Sequence, residues 1–134
     1  MSPSRELQTL ILDTLVADAA VGALVGDRIY DRMPSDGDYP CITFGPSDFV
    51  PDDFECITGR LETVQLDCWA RSQGRLWPAR EIADAVKAAL HEADLALTVN
   101  ALIRIEVTGV RVMGDPDGVT AHGVVTVSAS IEES

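Results

Sequence analysis

Residues 61–90 constrain the fold of this chain more than any other stretch. Val64, Leu66, Cys68 and Ala70 alternate with Thr63, Gln65, Asp67 and Trp69, the period-two pattern of a strand with one face buried and one turned outward. The strand reads from Ile57 to Arg71. Ser72-Gln73-Gly74 breaks it, and Ala79, Ile82, Ala83, Val86 and Leu90 then recur at three- and four-residue steps, which predicts an amphipathic helix. Pro78 falls near the start of that helix, where its missing N–H costs nothing. A strand feeding a helix through a short loop is a packing unit, and nothing in it carries catalytic chemistry.

The flanking segments fit around this unit. Ser2 is placed to cap a first helix, with Pro3 in its first turn and Leu7, Leu10, Ile11 and Leu15 as its apolar stripe. Asp18 starts a second helical piece, Ala19 to Val25, which Gly26 ends, and the two pieces read as a bent arm. Arg28 to Met33 is extended and stopped by Pro34, and Asp36-Gly37-Asp38 marks a turn before a strand from Tyr39 to Phe44. Gly45 to Glu55 contains Pro46, Pro51 and the acids Asp48, Asp52, Asp53 and Glu55. It reads as a long acidic loop or a mobile hairpin tip. Leu95-Ala96-Leu97 starts a further strand or a short connection. Ile103, Ile105 and Val107 continue through Val110 and Val112 as one strand, Asp115-Pro116-Asp117-Gly118 turns it, and Val119 to Ile131 returns as its partner. The order α, β, β, β, α, β, β predicts one α+β domain over residues 1–134, a mostly antiparallel sheet with two main helices packed on one face.

Charge narrows the class of partner. A surface that grips nucleic acid neutralises phosphates with cations, and a chain with ten Lys and Arg against 22 Asp and Glu, net −12, lacks the means. Two readings of the charge remain. One is solubility through self-repulsion; the other is a surface that lies beside a polyanion without holding it. Cys41, Cys56 and Cys68 are odd in number with no C-x-x-C spacing, and His91 and His122 are scattered, so no metal site is expected. No apolar run approaches the ~20 residues that span a bilayer, and Ser2 to Glu6 leads directly into helical periodicity, with no signal peptide. Assembly in a reducing cytoplasm, away from membranes, is the expectation.

A search for catalytic groupings finds little. No G-x-x-x-x-G-K-[ST] or G-x-G-x-x-G sequence is present to cradle phosphates. Gly45-Pro46-Ser47-Asp48 lacks the second glycine of a nucleophile elbow, and the acids from Asp48 to Glu55 do not follow EF-hand spacing. His91 lies at a helix end and His122 on the polar face of the last strand; neither has a sequence-local partner that would make it a general base, which leaves only chain-distant partners. No catalytic residue and no cofactor are expected. Trp69 either covers a second layer or faces a partner, and Trp77 is either a hydrophobic staple or an interface anchor.

The order of these landmarks resembles a known family. They are the amphipathic first helix ending in Ala17-Asp18-Ala19-Ala20-Val21-Gly22-Ala23-Leu24-Val25-Gly26, then Arg28-Ile29-Tyr30-Asp31, Pro34, and Tyr39-Pro40-Cys41-Ile42-Thr43 with Gly45. Leu66-Asp67-Cys68-Trp69-Ala70-Arg71, Gly74, the helix Ile82 to Leu90, Asp117-Gly118, His122-Gly123 and the strand to Ile131 complete the series. Together they are similar to the small tail-terminator, or tail-completion, proteins of siphophages, prophages and gene transfer agents. The likeness covers nearly the whole chain and rests on the ordered series, since no single motif in it is specific.

The resemblance implies a structural protein with no catalytic residues. It implies a homo-oligomeric ring, typically a hexamer, that caps the tail tube at its head-proximal end, stops tube polymerisation and joins the head-side connector. DNA would pass through the lumen without specific binding, and the protein would reside in the tail-neck region of a virion or gene transfer agent particle. Arg28, Tyr30, Trp69, Arg71 and Trp77 are the candidate interface residues. Asp48, Asp52, Asp53 and Glu55 are candidates to face the lumen. The alternatives are another neck or connector protein, or a small ligand-binding or enzymatic α+β domain.

Overall fold

The structure is a computed structural model describing residues 1–134. Ser2 and Pro3 start helix α1 (Pro3–Ala17), with Ser2 Oγ accepting the Arg5 N–H at 3.3 Å. Leu7, Ile11 and Leu15 are fully buried along its inner stripe, and burying each such side chain stabilises the fold by about 1.5–3 kcal/mol. Asp18 ends α1 and caps α2 (Ala19–Val25), its carboxylate accepting the Val21 N–H at 3.0 Å. The two helices meet at an 81° bend, which turns Val21 and Val25 into the same core. No single helix is long and apolar enough to cross a membrane.

Five strands form one sheet in the order β1-β2-β3-β5-β4. They are β1 (Ile29–Tyr30), β2 (Cys41–Pro51), β3 (Gly59–Arg71), β4 (Ala101–Gly114) and β5 (Thr120–Glu132). The short β1 runs parallel to β2; every other pair is antiparallel. β3 and β4 therefore point the same way on either side of β5, and helix α3 (Trp77–Leu90) supplies the long connection this requires. Val64, Leu66, Cys68 and Ala70 of β3, and Val125, Val127, Ala129 and Ile131 of β5, face Ile82, Ala83, Val86 and Leu90 of α3 in one continuous core. The architecture is α+β, with a mixed, mostly antiparallel sheet and three helices.

One buried charge ties the ends of the chain to this core. Glu6 on α1 is buried, with Oε2 accepting from Val99 N (2.8 Å), Thr98 N (2.9 Å) and Thr98 Oγ1 (2.9 Å). Its Oε1 accepts from Asn100 N and Nδ2, both at 3.0 Å. The Val99 N–H and then the Asn100 and Thr98 donors, against the opposing effect of burial, hold its pKa at about 2 from an ordinary 4.5. Asn100 Oδ1 in turn accepts the Ser134 N–H at 3.1 Å.

Two sequence expectations change, and one open alternative is decided. Gly45 to Glu55 is not a long loop but the end of a strand and a hairpin tip: β2 continues to Pro51 against β3, and the turn beyond it is closed by a bridge between Phe54 and Ile57. The strand survives its proline because the register shifts between Phe44, opposite Leu66, and Ser47, opposite Val64. Pro46 thus sits in a bulge, where a missing N–H does no harm. A Cβ at Gly45 would lie 2.6 Å from Asp67 Oδ2, so the Asp67 carboxylate would have to shift to admit one. Leu95 to Leu97 is a connection without strand structure. In β4, shifts between Leu102 and Arg104 and between Val107 and Gly109 break the alternation, so Ile103 is 65% exposed while Ile105 is buried.

Candidate functional site

With the helices on one face, the other face of the sheet is left open. Thr63, Gln65, Asp67 and Trp69 on β3 lie beside Ser128, Thr126, Val124 and His122 on β5. Trp69 and His122 are a directly opposed pair, and their rings stack with centroids 3.9 Å apart and planes 10° apart. Beneath them the network closes. His122 Nε2 donates to Asp67 Oδ1 at 2.7 Å, Gln65 Nε2 donates to the same oxygen at 2.9 Å, and Trp69 Nε1 donates to Thr43 Oγ1 at 2.9 Å. His122 thus has the chain-distant acid that local sequence could not show. The strand register would have revealed it, because β3 and β5 bring residues 69 and 122 face to face.

An Asp–His pair invites comparison with a catalytic dyad. No serine, threonine or cysteine hydrogen-bonds to the imidazole, so the pair is not joined to a side-chain nucleophile. No group of three or more His, Cys, Asp and Glu residues converges to hold a metal ion. Every buried side-chain nitrogen and oxygen has a hydrogen-bond partner within the chain. The arrangement stiffens an exposed surface and presents aromatic and charged groups on it.

Three of the five candidate interface residues gather at one end of the sheet. Arg28 Nε donates to Pro40 O at 2.8 Å, and the Arg71 guanidinium lies 4.1 Å from the Tyr39 ring centre. Both cations bear on Cys41, whose thiol burial nevertheless raises to about 11. Met33, Tyr39, Phe44 and Trp69, with Asp31 and Arg32, line an open concavity of about 300 Å³ at this end. Arg71 also meets Asp117 at 4.0 Å. The Thr120 hydroxyl and then the Val119 and Thr120 N–H groups lower the pKa of Asp117. Tyr30 lies on β1 opposite Thr43, the partner of Trp69, and Trp77 opens α3 with 55% of its surface exposed.

The candidate acidic residues occupy the opposite end of the β2–β3 pair. Asp48 is in β2 opposite Thr63; Asp52, Asp53 and Glu55 are in the exposed turn. Asp53 Oδ1 accepts the Gly59 N–H at 3.0 Å, fixing the turn. None of the four forms an ion pair within the chain. The nearby Arg60 is committed elsewhere, to Glu133 at 3.1 Å and 3.2 Å, to Glu62 at 3.4 Å and to the Phe49 ring at 3.6 Å. Hydrogen bonding to Glu133 raises its pKa further above its ordinary value.

Comparison with solved structures finds the same fold in several chains. One is a chain from the virion of a native gene transfer agent particle, at TM-score 0.87 and 24% identity, covering 96% of each chain. Another is the gp17 protein of bacteriophage SPP1, at TM-score 0.54 and 19% identity, covering 98% of this chain and 91% of that one. Comparison with curated protein sequences finds no match. The sequence model of the family described as tail completion protein gp17 matches residues 9–132, almost the entire chain, and on that match this chain belongs to the tail completion protein gp17 family.

Proposed function

We propose that this chain is the structural terminator of a phage-like tail: six copies close into a ring on the head-proximal end of the tail tube. There the ring stops tube growth and presents a surface to the head-side connector, while DNA passes through its lumen. The protein breaks and makes no covalent bond. The observation that carries this reading is the family match over residues 9–132. The net charge of −12 supports it, because a lumen lined with cations would trap phosphates and an acidic one would let them slide. The resemblance to a chain in a gene transfer agent virion favours a particle of that kind or a phage tail.

Light scattering on the purified protein, and tube assembly with and without it, test the reading. A mass near six chains and tubes of arrested length are the expected results. A chain that stays monomeric both alone and with tube protein, and leaves tube length unchanged, would overturn it.

A further inference from the structure

The two ends of the β2–β3 pair are complementary to each other. At one end Phe54 projects from the turn with 69% of its surface exposed, flanked by Asp52, Asp53 and Glu55. That turn contains acids and no cation, and the one arginine at its base is paired internally. At the other end lies the concavity of Met33, Tyr39, Phe44 and Trp69, with Arg32 in its lining and Arg71 stacked on Tyr39. Arg32 forms no ion pair within the chain, and Arg71, whose Nε donates to Thr120 Oγ1 at 3.0 Å, has one ion-pair contact, to Asp117 at 4.0 Å. Asp31 is the one acid in the lining. Ten residues separate Phe44 from Phe54, roughly 30 Å of extended strand at about 3.3 Å per residue. No copy can therefore fold its own tip back into its own concavity.

We infer that the occupant of this concavity is a second copy of the chain. The Phe54 ring of one copy seats among Met33, Tyr39 and Trp69 of the next, and Asp52 and Glu55 meet Arg32 and Arg71. This rests on the ring reading above and assigns its interface. A closed ring needs two different surfaces on each copy that fit each other head to tail, and these two surfaces differ as required. Buried aromatic anchors ringed by paired charges are where binding energy concentrates in protein interfaces. The apolar surroundings of the tip, with Val50 at 55%, Ile57 at 42% and Ile103 at 65% exposure, extend the contact beyond one side chain.

The chain carries its own reporter for this contact. Cys56 is exposed two positions from Phe54, while Cys41 and Cys68 are buried. In an Arg32→Cys variant, purified and in assembled particles, mild oxidation is expected to join Cys56 of one copy to the new thiol of the next. The product is a ladder of covalent oligomers that disappears when Cys56→Ser is added. An Ala88→Cys variant, on the exposed side of α3, gives no ladder. Phe54→Ser, a change in an exposed turn, is expected to reduce ring yield about tenfold with an unchanged circular-dichroism spectrum.

The outcomes separate the two claims. A ring of normal mass with no Cys56-dependent ladder overturns this interface and leaves the ring standing. A disulfide to tube protein or another particle component does the same. Monomer throughout both preparations overturns the ring and the interface together.

Discussion

Trp69 and His122 lie flat against each other across the β3–β5 ladder, 3.9 Å between ring centres, with the imidazole held in place from behind by Asp67. Stacked pairs of this kind contribute about 0.5–1.5 kcal/mol beyond the area they bury. The single variants Trp69→Ala and His122→Ala are therefore expected to be non-additive in chemical denaturation, with a coupling of that size in the double-mutant cycle. Additive losses would show that the two rings merely adjoin.

Glu6 sets an acid limit on stability. Its folded pKa of about 2 lies below the ordinary 4.5 expected of the unfolded chain. The stabilisation it confers is therefore complete above about pH 4.5 and disappears as pH falls toward 2. Thermal midpoints measured from pH 6 to pH 2.5 should fall more steeply for the natural protein than for Glu6→Gln. The variant should also be the less stable of the two at pH 6, since an amide cannot accept at both terminal atoms. Parallel curves would contradict this account.

Gly74 links β3 to α3 with φ of +78°, and a Cβ there would lie 2.7 Å from the Gly118 carbonyl oxygen. Both the left-handed backbone and the close approach oppose a side chain. Gly74→Ala is expected to cost about 1–3 kcal/mol, read as a lower denaturant midpoint with an unchanged slope. A neutral substitution would mean that the β4–β5 turn yields freely.

The three thiols should respond very differently. Burial raises Cys68 to about 12 and Cys41 to about 11, while Cys56 is exposed. A thiol-reactive chromophore at pH 7.5 is expected to titrate one group per folded chain and three after denaturation. Fast reaction of two groups in the native protein would show that one of the strands opens.

Charge reversal at the hairpin tip distinguishes two placements of its acids. Asp52→Lys with Glu55→Lys should lower ring yield about tenfold through like-charge contact with Arg32 and Arg71, and Arg32→Glu in the same chain should restore much of it. Should the ring instead form normally while DNA release slows, the acids line the channel and the proposed contact is wrong.

The helices were legible because each carries its signal locally. Ser2 and Asp18 both cap where they stand, and the α3 stripe from Ala79 to Leu90 is buried residue for residue. Alternation likewise placed β3 and β5. What failed were the irregular strands. Pro46 and the acids of Gly45 to Glu55 imitate a loop, and only the register against β3 shows a strand crossing a bulge. Alternation puts Ile103 and Ile105 on one face and cannot reveal the slipped residue that separates them. The functional surface was harder still. Arg28, Trp69 and Arg71 converge through tertiary pairing that no spacing encodes, and the Glu6 clamp joins residues from opposite ends of the chain.

The exposed margin of β4 has its own significance. Midway along it, Glu92 N donates to Ile105 O, and Val107 N donates to His91 Nδ1 at 3.0 Å, so the end of α3 occupies backbone groups that a foreign strand would otherwise seek. Crowded copies of a chain with a bare border tend to zip together without limit. With that border stoppered at its centre, a foreign strand cannot pair along the full length of β4.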